Sequence, residues 1–124
     1  MTTRIHNIEP TTYTIDATDR TLGRVASEAA HALLGKRSAQ FAKHLAMPVT
    51  VVIENASKMH LSESRTKGKV YTRYTGFPGG LREMTMAEMI AKKGIEEVVK
   101  KTVDGMIPRN RLRAPRMKNL IVKA

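Results

Sequence analysis

Apolar residues recur at Leu22, Val25, Ala26, Ala29 and Leu33, three or four positions apart, and Gly35 stops the run. That period predicts an amphipathic helix with one stripe turned to a core. Thr18-Asp19-Arg20-Thr21 ahead of it supplies capping side chains. Tyr13-Thr14-Ile15-Asp16 reads as a short strand before the helix. Val49-Thr50-Val51-Val52-Ile53 is β-branched and nearly continuous, the pattern of a strand covered on both faces. Strand, helix and buried strand make a βαβ unit, so the pattern predicts an α/β fold with a mainly parallel sheet.

The second half of the chain is more broken. Val70-Tyr71-Thr72-Arg73-Tyr74 alternates as a strand does, and Gly76-Phe77-Pro78-Gly79-Gly80 must be a loop. Thr85-Met86-Ala87-Glu88 has the spacing of a capping box, opening a helix that stops at Gly94. Ile95, Val98, Val99, Thr102 and Val103 mark another helix, closed by Gly105 with Pro108 beyond. The tail from Arg109 has room for a further helical turn, which Pro115 is expected to interrupt. Leu120-Ile121-Val122 reads as a last strand. Residues 1–12 show no period and are expected to form an arm. Residues 13–124 contain no repeat or linker and are expected to fold as a single domain.

Composition narrows the chemistry. The 124 residues include no cysteine, which removes disulfides, thiolate metal sites and cysteine nucleophiles, and fits a reducing compartment. The start lacks the apolar core of a secretory signal. The longest uncharged stretch, between Lys43 and Glu54, is about half of what a bilayer requires. A cytoplasmic protein with no membrane partner is expected. Lys plus Arg number 22 against 11 Asp plus Glu, a formal charge of +11. The excess is lopsided: residues 1–64 carry seven bases and six acids, whereas residues 65–124 carry fifteen bases and five acids. Concentrating the charge in one half points to a face for a polyanion rather than to a merely solvated surface.

Two stretches carry that charge. From Arg65 to Arg82 there are five bases and no acid, with Arg65, Lys67, Lys69 and Arg73 interleaved with Tyr71 and Tyr74 before a loop containing Gly76, Gly79 and Gly80. Lysine and arginine neutralise phosphates, tyrosine can stack on an unpaired base, and glycine lets backbones approach. The second stretch places Arg109, Asn110, Arg111, Arg113, Arg116 and Lys118 together. The apolar residues Met106, Ile107, Leu112, Met117 and Leu120 among them would dock the segment on the body. Gly35-Lys36-Arg37-Ser38 resembles the end of a phosphate-binding loop, but position 30 is alanine and the segment follows a helix, so Lys36 and Arg37 are read as helix-end cations within reach of phosphate. The four histidines have no second ligand at metal spacing, and no metal or cofactor is expected. Asp16 ends a strand where α/β active sites form, yet no base or nucleophile stands beside it and turn bonding explains it equally. No reaction centre assembles, so neither an enzyme nor a small-molecule substrate is expected.

The order of motifs resembles a known family. Tyr13-Thr-Ile-Asp-Ala17, Thr21-Leu-Gly-Arg-Val-Ala-Ser27, Gly35-Lys36, Val52-Ile-Glu-Asn-Ala56, Lys69-Val-Tyr71, Thr75-Gly-Phe-Pro-Gly-Gly-Leu81 and Gly105-Met-Ile-Pro-Arg-Asn-Arg-Leu112 follow the pattern of the universal large-subunit ribosomal protein family thirteen, bacterial type. The resemblance covers about residues 13–124. It implies a three-layer α/β/α fold and a structural, non-catalytic role in translation. The partners it implies are folded large-subunit ribosomal RNA and neighbouring large-subunit proteins, with a part in early subunit assembly. It adds the turn of Thr21, Gly23 and Arg24, and His44, to the RNA-contacting set. Departures lie at Ala42-Lys43-His44-Leu45, which lacks the proline members have before that histidine, and at Arg113-Ala114-Pro115, where the family has Gly-Arg. Two other classes are weighed against this one. An enzyme acting on a phosphorylated substrate would need a nucleophile–base pair, and a DNA-binding module would need a recognition element; neither pattern is present.

Overall fold

The computed structural model describes residues 10–37, 46 and 48–124. Strand β1 (Thr11–Asp16) leads into helix α1 (Leu22–Leu33), and strand β2 (Val49–Glu54) follows. β1 starts two residues before the point that the alternation marks. A 3-10 turn at Ala56–Lys58 leads to a short helix α2 (Glu63–Gly68). Strands β3 (Val70–Tyr74) and β4 (Leu81–Thr85) form an antiparallel hairpin. Helices α3 (Met86–Lys93), α4 (Ile95–Met106) and α5 (Arg113–Lys118) precede the last strand, β5 (Leu120–Val122).

The α/β class and the small parallel sheet are as the pattern predicts. β2 lies in the centre, parallel to β1 with Ile15 beside Ile53, and parallel to β5 with Val122 on the other flank of Ile53. Both crossovers, β1 to β2 and β2 to β5, carry the chain the same way across the sheet. Right-handed crossovers then put their helices on one face, and α1 and α4 do pack against each other there. That face buries Ile15, Val49, Val51, Ile53, Leu120 and Val122. Alanines 26, 29, 30 and 32 of α1 are buried and, being small, let α4 approach with Val98, Val99 and Val103 fully enclosed.

The opposite face is more open among the described residues than the apolar run of β2 suggests. Thr12, Thr14 and Ile121 are exposed and Thr50 and Val52 only half-buried, so β2 is fully covered on one face alone. The second helical layer expected over it is not built by the described residues. Three boundaries differ as well. α4 runs through Gly105 to Met106 instead of closing at the glycine. Pro115 sits inside α5 rather than breaking it, because it is the third helical residue, where a backbone N–H has no intrahelical acceptor to lose. At Thr85 half of the capping box is present, the Glu88 amide donating to Thr85 Oγ1 at 3.3 Å. Between α3 and α4, Gly94 has φ +88°, a conformation open to glycine, and so lets one residue end one helix and begin the next.

Asp16 is the anchor at the end of β1. Its carboxylate accepts from the Thr18 amide at 3.0 Å, the Thr18 hydroxyl at 2.8 Å and Asn55 Nδ2 at 3.1 Å. Led by the Thr18 amide, these bonds hold its pKa at about 2, below the usual 3.8. The group is therefore ionised at neutral pH and is a turn anchor rather than an acid catalyst. The stability it adds is present above the usual carboxylate range and is withdrawn as pH falls through about 2.

Candidate nucleic-acid interface

Three groups of cations are set on this frame. At the first, the isolated bridge Thr21↔His60 and the His60 amide bond to the Arg20 carbonyl (3.0 Å) tie the start of α1 to the segment before α2. Ser62 caps α2 by accepting from the Arg65 amide at 3.4 Å. The result is a hollow of about 500 Å³ where Thr21, Gly23 and Arg24 meet Arg65 across a long sequence separation. Arg65 and Lys67 are exposed on α2. No apolar period marks this helix, since none of its residues is buried.

The hairpin is the second group. Its register places Arg73 opposite Arg82, a like-charged pair on one face. Like charges directly opposite destabilise a sheet unless an anion joins them. Below that pair Tyr71 is half-buried, with Lys69 Nζ 5.5 Å and Lys101 Nζ 5.2 Å from its ring centroid. The Tyr71 ring therefore gathers two ammonium groups by cation–π attraction while staying only partly covered. Tyr74, on the other face, is 62% exposed. The glycines build the tip. Gly76 and Gly79 have positive φ, and a Cβ on Gly80 would run into Thr75 Oγ1 and lie 2.8 Å from the Phe77 carbonyl. The Gly80 amide in fact donates to that carbonyl at 2.9 Å. The tip so formed presents Phe77 at 73% exposure.

The third group is the tail, where the arginines take different roles. Arg109 and Arg111 are exposed. Asn110 is used internally, its Oδ1 accepting from the Leu112 amide at 3.0 Å at the start of α5. Arg113 Nε lies 3.3 Å from Asp104 and ties α5 to α4. Arg116 is a correction: at 2% exposure it belongs to the core rather than to a phosphate-contacting surface, and burial lowers its pKa. Lys118 is exposed. We expect Arg116→Ala to lower unfolding stability by about 1–3 kcal/mol through lost packing of its stem. The salt dependence of polyanion binding should stay as it is, and paired denaturant and salt titrations check both halves.

Near the end of α1, Lys36 is exposed, whereas Arg37 is engaged: its Nη2 lies 3.2 Å from Glu28 Oε1, and its guanidinium is 4.8 Å from the Tyr13 ring. Glu28 also takes Arg20 at 2.6 Å, which chiefly holds its pKa below the usual value. His44 lies outside the described residues. The structure adds two cations that the pattern did not single out, Lys93 and Lys101, which share with Arg73 and Arg82 a hollow beside the hairpin. Finding them needed the placing of α3 and α4 beside the hairpin. Among the described residues there is no cluster of three acidic or histidine side chains suited to a metal, and no helix is long and apolar enough to cross a membrane.

The family described as Ribosomal protein L13 matches residues 10–123. Large ribosomal subunit protein uL13 of Moorella thermoacetica is 44% identical over 117 residues, covering 94% of this chain and 81% of that protein. The protein of the same name from Hahella chejuensis is 41% identical over 112 residues, 90% of this chain and 78% of its own length. That of Streptomyces griseus subsp. griseus is 44% identical over 110 residues, 89% and 74%.

Proposed function

The chain belongs to the ribosomal protein L13 family, and from that premise we propose that it grips folded large-subunit ribosomal RNA by charge and shape while the α/β body acts as a rigid mount. It is a structural constituent of the large ribosomal subunit and not an enzyme. The observation that carries the RNA reading is a set of exposed cations held on different elements. Arg65, Lys67, Arg73, Arg82, Arg109, Arg111 and Lys118 have no ion pair among the described residues. Such a set is costly in isolation and is relieved by phosphates.

Mechanistically, Thr21, Gly23, Arg24 and Arg65 receive one stretch of RNA backbone, the Arg73–Arg82 pair a second, and Arg109 with Arg111 a third. A-form RNA hides its base edges, so selectivity arises from the spacing of these groups rather than from base reading. The exposed ring of Phe77 at the hairpin tip suits stacking on an unpaired base or packing against a neighbouring large-subunit protein. The contribution to subunit assembly follows from joining several RNA segments through one body.

Filter binding to large-subunit ribosomal RNA, titrated with salt and competed with duplex DNA, tests the proposal. The expected result is a log–log salt slope of about −4 or steeper, set by several phosphate contacts, with DNA a weak competitor. Equal competition by DNA, or a nearly flat slope, would contradict it.

A further inference from the structure

Three glycines are required neither by a positive φ nor by a lack of room for a Cβ. Gly76, Gly79 and Gly94 have positive φ, and Gly80 has no room for a Cβ. Gly23, Gly68 and Gly105 are different: each lies in a helix, none has positive φ, and a Cβ built on any of them meets nothing within 4 Å. They stand at helix ends, second in α1, last in α2 and last but one in α4, where the glycine penalty is smaller than in an interior but alanine is still the better helix former. They sit on three separate helices, yet all three line a single cleft of about 720 Å³. Leu22, Met86, Met106 and the Tyr71 ring give the cleft an apolar side. Arg65, Lys69 and Lys101 stand on its lining, and none of them has an ion pair among the described residues.

We propose that this cleft seats one unpaired nucleotide extruded from the bound RNA. Its base and ribose lie against the apolar side, its phosphate faces Arg65, Lys69 and Lys101, and the three glycines leave helix backbone bare where the nucleotide approaches. An apolar wall beside a cationic rim matches the two halves of a nucleotide, and sequence-tolerant capture of splayed-out bases is a usual way for proteins to hold single-stranded RNA. A cleft of this size accommodates a ligand of that class. The proposal rests on the RNA-binding reading above and adds the site and the form of RNA that fills it.

The test exploits opposite signs. Gly23→Ala and Gly105→Ala, made separately in the full chain, are each expected to raise the melting temperature by about 2 °C. Each is also expected to weaken binding to large-subunit ribosomal RNA roughly tenfold, because the added methyl occupies the approach. A wild-type chain that does not bind this RNA would remove the function reading and the cleft with it. Where the wild type binds and both variants bind equally well, the cleft proposal alone falls. A lowered melting temperature would also overturn it, by showing that the glycines serve internal packing.

Discussion

An Ile53→Ala variant is expected to lose about 3–4 kcal/mol of unfolding free energy, within the range for truncating a large aliphatic side chain in a core that cannot collapse around the gap. Ile53 is fully enclosed on the central strand. Ile15 and Val122 flank it in register, and α1 and α4 close over that face. Domains of this size have only about 5–15 kcal/mol in total, so the loss removes a large share and shifts the urea midpoint with an unchanged slope. Ile121→Ala supplies the contrast. It sits on the open face, 44% exposed, and should cost under about 1 kcal/mol. Equal losses at the two positions would mean that the open face is as much a core as the covered one.

The second large effect concerns binding. Replacing Arg109 and Arg111 together by alanine removes two exposed cations from the turn before α5 without touching buried groups. Affinity for large-subunit ribosomal RNA is expected to drop roughly a hundredfold, two charge-assisted contacts at about 1.4 kcal/mol each. The salt slope should become shallower by about 1.5, at about 0.7–0.9 per phosphate released. Stability should stay within about 0.5 kcal/mol. Unaltered affinity and slope would remove the tail from the interface. An altered affinity with an unaltered slope would show that the two arginines act by shaping the turn rather than by meeting phosphate.

Much of the fold was legible because its elements follow their own periods. Leu22 to Leu33 repeats at helical spacing and is buried as that spacing requires, and Val49 to Ile53 lies at the centre of the sheet. β4 was not legible: Leu81, Arg82 and Glu83 are exposed, and the strand exists because β3 pairs with it. The layering was hidden for a related reason, since the strand order that places both crossover helices on one face emerges only when β5 docks beside β2. Charge marked the candidate interface by region but could not sort its members. Arg109, Arg111, Arg113 and Arg116 are alike as letters, yet Arg113 reaches Asp104 and Arg116 is enclosed. Arg37 is likewise held by Glu28 and Tyr13. Lys101, brought to the Tyr71 ring from α4, thirty residues away, was equally out of reach of the letters. The glycines of the cleft were unreadable in the same way, because only the folded chain brings them to one cleft.

Sedimentation of a cell extract through a sucrose gradient, with this chain detected in every fraction at low and moderate salt, is the decisive measurement. The chain is expected to travel with the large subunit and to remain there at moderate salt, held by contacts spread over several elements. Recovery at the top of the gradient among free proteins, at low salt as well as at moderate salt, would contradict it.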